Sequence, residues 1–174
     1  MLFFARRGDF EIINMTNVLP ENIRQQIDEW IVKYPPEQRQ SAVLSALTIV
    51  QNNNNGWLTE ELMDAVAEYL NMPRIAVYEV ATFYTMYDLK PVGRHKIGLC
   101  TNVSCMLMGC EKIAKHLKKR LGVEFGETTA DGKFTLKEVE CLGACASAPV
   151  VHMGDHYYEN LTPEKIDEIL DGLK

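Results

Sequence analysis

The spacing of apolar positions changes character near residue 91. Before it, apolar residues recur at the three-to-four spacing of helices; after it, short alternating runs are interleaved with two helical stripes. Ile23, Ile27, Trp30 and Ile31 share one face of a helix that opens at Leu19-Pro20-Glu21 and stops at Tyr34-Pro35-Pro36. A second helix starts at Pro36-Glu37, turns Val43, Leu44, Leu47 and Val50 inward, and ends in the run Asn52 to Gly56. Thr59 caps a third, with Leu62, Met63, Val66, Tyr69 and Leu70 on its inner side. Pro73 opens a fourth, with Ala76, Val80, Phe83 and Tyr87 on one face and Phe83 in the core. Four helices on short turns predict a small bundle, closed by Lys90-Pro91-Val92-Gly93. The expected domains are therefore 1–91 and 92–174, with a loosely ordered start over residues 1–18.

In the second part, Lys96 to Leu99 is a short strand that ends at Cys100. A helix is expected from about Ser104 to Arg120, burying Ile113, Leu117 and Leu121. Phe134 to Glu140 forms a strand leading into Cys141; its alternation slips between Leu136 and Val139, which reads as a bulge. Val150 to Met153, Gly154-Asp155 and His156 to Tyr158 form a hairpin. Thr162 caps a last helix with Pro163 at its first position and Ile166, Ile169, Leu170 and Leu173 as its stripe. The fold class is α+β: an N-terminal helical bundle, then an α/β layer with a small mixed sheet between helices.

Composition adds limits. The 47% apolar and 24% charged fractions are those of an ordinary globular chain, and the net charge of −6 argues against a general nucleic-acid binder. Lys115 to Arg120 is read as the solvated end of a helix, where cations suit the dipole. The helix pair 59–70 and 73–87 has a helix-turn-helix outline, but Glu79 and Asp88 on its second member favour packing over DNA. No apolar run approaches the roughly 20 residues of a membrane span, and Met1 to Arg7 is too short for a signal peptide. A cytoplasmic chain without direct membrane insertion is expected, in which grouped cysteines serve as metal or redox ligands.

Four of the five cysteines form two pairs, Cys100-x4-Cys105 and Cys141-x3-Cys145, each where a strand runs into a loop. Four soft thiolates suit a [2Fe–2S] cluster, one pair to each iron. Spacing also leaves zinc and thiol redox chemistry open; the second pair suits zinc well, while the absence of C-x-x-C weakens the dithiol reading. Cys105 falls near a helix start, where N–H groups favour a thiolate, and Gly143 permits a tight turn between Cys141 and Cys145. Cys110 reads as a buried spare thiol and His152 and His156 as surface residues. With no Gly-rich dinucleotide fingerprint present, NADH and flavin are expected to bind elsewhere.

The string Cys100-Thr101-Asn102-Val103-Ser104-Cys105-Met106-Leu107-Met108-Gly109, with Glu138 to Cys145 and Ala148-Pro149, closely resembles the small [2Fe–2S] subunit of respiratory complex I, the thioredoxin-like ferredoxin of its NADH dehydrogenase module. Tyr78 to Tyr87 resembles that family's segment ahead of the ferredoxin domain, and the likeness runs from about residue 17 to the end. It implies a helical bundle followed by a thioredoxin-like domain, cluster ligands at Cys100, Cys105, Cys141 and Cys145, and a cis Pro149. It further implies an electron-transfer subunit of NADH:quinone oxidoreductase with no complete catalytic site of its own. Its partners would be a larger subunit holding FMN, NADH and a [4Fe–4S] cluster, and other peripheral-arm subunits at the cytoplasmic face of the membrane. The same module in an NAD-linked hydrogenase or formate dehydrogenase is the near alternative; a zinc-stabilised helix-turn-helix regulator is the alternative of another class.

Overall fold

The structure is a computed structural model that describes residues 18–173. The start expected to be loosely ordered, and the Met1 to Arg7 segment read for a leader, lie outside the described residues apart from Val18. The chain forms two compact units, one of residues up to Val50 with Leu58–Phe83, the other of Gln51–Trp57 with Tyr84 onward.

The first unit is helical. α1 (Glu21–Ile31) buries Ile23 and Ile27 but leaves Trp30 at 39% exposure, so the expected face is narrower than its apolar residues implied. Trp30 instead stacks under the Lys33 ammonium, 3.5 Å from the ring centre. The chain after it is a 3-10 helix, Pro36–Ala42, kinked at Gln38, before α2 (Val43–Asn53) begins. The single helix expected from Pro36 is thus two pieces. Val43, Leu47 and Val50 are buried as expected, joined by Ala42 and Ala46. Asn55 and Gly56, both at positive φ, end this stretch.

α3 (Glu60–Leu70) is capped by Thr59, whose hydroxyl accepts from the Leu62 N–H at 3.2 Å. α4 (Arg74–Phe83) packs on it through Val77 and Ala81. The stripe expected there, Ala76, Val80, Phe83 and Tyr87, is displaced around the helix, and Phe83 is 77% exposed rather than core. The physical reason is size: the small Ala81 allows close approach to α3, and the helix ends at Phe83 before its side chain can turn inward. Tyr87 is buried, but within the second unit.

The second unit is built on a four-stranded sheet in the order β2-β1-β3-β4. β1 (His95–Cys100) pairs in parallel with β2 (Phe134–Val139), His95 opposite Phe134 and Cys100 opposite Val139. It pairs antiparallel with β3 (Val151–Met153), which turns at Gly154-Asp155 into β4 (His156–Tyr158). Between β1 and β2 lie α5 (Val103–Leu107) and α6 (Cys110–Leu121), and α7 (Pro163–Gly172) closes the chain. The helix expected over 104–120 is broken because Gly109 takes φ +88°. Thr162 caps α7 by accepting from the Lys165 N–H at 3.2 Å.

One face of the sheet carries the main core. Ile97, Leu99, Phe134, Leu136, Val151 and Met153 meet Ile113 and Leu117 of α6 and Ile166 and Leu170 of α7. Each such side chain contributes about 1.5–3 kcal/mol by burial. Both long helices therefore lie on this face, where a sheet flanked by helices on both sides was expected. The opposite face takes the stretch from Tyr84 to Gly93. Gly93 comes so close that an added Cβ would lie 2.7 Å from the Phe134 carbonyl carbon, and its N–H donates to the Thr135 hydroxyl at 2.6 Å. Asp88, with its side chain 10% exposed, accepts from Lys96 and from Lys137, each at 2.6 Å. The pairing of β1 and β2 is continuous through Leu136 to Val139, with no bulge. The slipped alternation has another cause: Thr135, Lys137 and Val139 serve a face that is itself covered.

Candidate functional site

Both cysteine pairs sit at the same end of the paired strands β1 and β2. Cys100 is the last residue of β1, and its N–H donates to the Val150 carbonyl at 3.1 Å. The next N–H, of Thr101, donates across to the Val139 carbonyl at 3.2 Å. The chain then turns into α5, which delivers Cys105 back to Cys100. The two buried sulfurs share a hydrogen bond and pack with Cys110, Ala148 and Leu142 in a small apolar nest. Burial pushes the Cys105 thiol up to about 11, the bond to Cys100 acts the same way, and the Val150 backbone opposes both. The helix-start stabilisation of a thiolate expected at Cys105 is thus outweighed by desolvation. Burial also raises the Cys110 thiol.

β2 ends at Val139, and Cys141 and Cys145 follow on an exposed loop that closes in a 3-10 turn, Cys145–Ser147. Gly143 takes φ +73°, and its N–H donates to the Cys141 sulfur at 3.4 Å, the kind of bond expected of this turn. Cis Pro149, implied by the resemblance, is present after Ala148.

Two residues to which the sequence reading gave no role bring the pairs together. Asn102 accepts from the Val103 N–H at 2.7 Å and donates from its amide to the Glu140 carbonyl at 2.8 Å, tying the first loop to the residue before Cys141. Leu142 leans from the second loop onto the Cys100, Cys105 and Cys110 nest. A capping-type Asn just ahead of a helix was legible at position 102; its second bond, across to another strand end, was not.

The donor set suits two irons better than one ion. Among the described residues, no three His, Cys, Asp or Glu side chains gather as the ligands of a single metal would. The thiols come instead as two pairs at the ends of neighbouring strands, and each iron of a [2Fe–2S] cluster takes two thiolates from protein and the rest from sulfide. The same helix α5 exposes Val103, Met106, Leu107 and Met108 outward, a run of large apolar side chains beside the buried Cys105. Among the described residues, no helix is long and apolar enough to cross a membrane.

A mixed sheet with helices packed on one face and paired thiols at the strand ends defines a redox-type α/β unit, which follows a helical unit in the chain. The chain belongs to the thioredoxin-like [2Fe-2S] ferredoxin family, whose sequence profile matches residues 27–174. It is 50% identical over 147 residues to the E-type component of the NADH-quinone oxidoreductase of Rickettsia bellii (strain RML369-C), covering 84% of this chain and 88% of that protein. It is 45% identical over 152 residues to a second-copy E-type component of the NADH-quinone oxidoreductase of Rhizobium meliloti (strain 1021), covering 87% of this chain and 89% of that one. The fold also matches a crystal structure of an NAD+-reducing [NiFe]-hydrogenase in the air-oxidised state, with TM-score 0.63 and 19% identity. That match covers 73% of this chain and 22% of the hydrogenase chain.

Proposed function

We propose that this chain is the electron-transfer subunit of an NADH-quinone oxidoreductase, and that Cys100, Cys105, Cys141 and Cys145 hold its [2Fe–2S] cluster beside the FMN of a larger NADH-binding subunit. When bound, such a cluster supplies one-electron storage. The single observation that carries the reading is the joining of two thiol pairs at one end of the sheet, by the Asn102 amide on Glu140 and by Leu142 on the buried nest. The names of relatives at 45% and 50% identity favour the quinone oxidoreductase, whereas the hydrogenase likeness at 19% bears on fold alone.

The residues divide the work. Cys100 and Cys105 give a desolvated half-site, which favours less negative charge and so a low potential. Gly143 offers its N–H to the sulfur of Cys141, which offsets charge there. Val103, Met106, Leu107 and Met108 form an exposed apolar surface at the same place, which suits docking of the partner that carries FMN, NADH and a [4Fe–4S] cluster. NADH oxidation belongs to that partner, and this chain lies with the other peripheral-arm subunits on the cytoplasmic face.

Complementation tests the proposal. In membranes of a strain deleted for the corresponding component of its NADH-quinone oxidoreductase, this chain is expected to restore NADH-dependent quinone reduction, and its Cys141→Ser variant is not. The chain assembling into the membrane-bound complex without restoring electron transfer would contradict it.

A further inference from the structure

We propose that Asp88 is a positioning residue for the cluster site, acting as a clamp between the two strands that carry the ligands; this rests on the cluster reading above. Lys96 lies on β1 four residues before Cys100, and Lys137 lies on β2 four residues before Cys141. Both point to the sheet face away from the main core. The Asp88 carboxylate gives one oxygen to each: Oδ2 accepts from Lys96 and Oδ1 from Lys137, both at 2.6 Å. Its place is itself fixed. The Asp88 N–H donates to Oε1 of the buried Gln51 at 2.8 Å, Nε2 of Gln51 donates to the Met86 carbonyl at 3.1 Å, and Lys137 also donates to the Thr85 carbonyl at 3.1 Å.

Parallel neighbours are held to one another by slanted backbone bonds, and a slide along the strand direction is their soft motion. A carboxylate bonded to a lysine on each strand resists that slide. The two strands end in different thiol pairs, so their relative position sets how far the buried pair lies from the loop pair. Cross-strand distance at the thiols is what a binuclear cluster must match, because each strand end serves a different iron. The lysines are partly buried, and without the carboxylate they repel each other across the strand pair.

The test uses the full chain loaded anaerobically with iron and sulfide, comparing wild type, Asp88→Asn, Asp88→Glu and Lys96→Gln. Asp88→Asn is expected to load, to release iron to a chelator about 10-fold faster, at the low end for groups that support metal ligands, and to show altered g-values in the reduced spectrum. Asp88→Glu, which keeps the charge, is expected to restore both. Lys96→Gln removes one arm and is expected to fall between; it carries the test if Asp88→Asn does not fold. A general loss of stability would speed release without moving the g-values and would not separate Glu from Asn. Wild-type g-values and release rate in Asp88→Asn or Lys96→Gln would overturn the clamp while the cluster reading stands. A wild-type chain that takes no iron and sulfide would overturn both.

Discussion

The two cysteine pairs do the same proposed job from opposite physical situations. Cys100 and Cys105 are part of the fold: buried, hydrogen-bonded to each other, and packed with Cys110, Ala148 and Leu142. Cys141 and Cys145 are exposed on a loop shaped by one left-handed glycine and a short 3-10 turn. The difference teaches that half of the site exists through packing, whereas the other half is held by a few local bonds and gains its order when ligands bind. Stability and cluster retention should therefore separate when the pairs are disturbed one at a time.

The largest effect is expected behind the buried pair. Leu99 precedes Cys100 and is fully buried in the sheet–helix core, so Leu99→Ala should cost about 2–5 kcal/mol in urea unfolding of the metal-free chain. Next comes the direct contrast. Cys100→Ser puts a hydroxyl into an apolar nest and should cost about 1–3 kcal/mol before any metal is considered. Cys141→Ser should change that unfolding by less than about 0.5 kcal/mol, since the side chain is exposed, yet abolish cluster loading. Cys110→Ser should keep full loading, read as iron and sulfide per chain; its loss would break the assignment of ligands.

Smaller effects sharpen the comparison at the junction. Asn102→Asp keeps the oxygen that accepts from Val103 but loses the amide that donates to Glu140; about 0.5–1.5 kcal/mol should be lost, with faster amide exchange in the 140–145 loop. Asn102→Ala should cost more, because both bonds go.

The smallest effect is acidic. The Thr162 hydroxyl and the helix backbone hold Glu164 below its ordinary range, and the bond to His116 does the same for Asp167. Both folded values lie below the unfolded ones, so their contribution is complete above about pH 5 and fades as pH falls through the lowered values, below about 4. Metal-free unfolding midpoints should be level from about pH 7 to about pH 5 and drop below that. His116→Ala should lessen the drop.

Much of this was legible in the sequence because the signals are local. Thr59 and Thr162 as caps, the hairpin at Gly154-Asp155, the Asn55-Gly56 stop and the stripe of Ile166 and Leu170 all depend on neighbours within a turn or two. What was missed depends on a second surface. Val139 looked out of step because the face opposite the core is also covered, and Phe83 looked like core because its spacing ignored how small Ala81 is. The pairing of the cysteines was visible as spacing. The roles of Asn102 and Leu142 were not, since both act between segments far apart in the chain.

The central claim is that the four thiols hold a binuclear iron–sulfur cluster. Iron, zinc and sulfide analysis of the anaerobically purified chain, with an electron paramagnetic resonance spectrum after dithionite reduction, tests it most directly. Two irons and two sulfides per chain with a spin-half signal are predicted. One zinc per chain, no labile sulfide and no signal on reduction would contradict it.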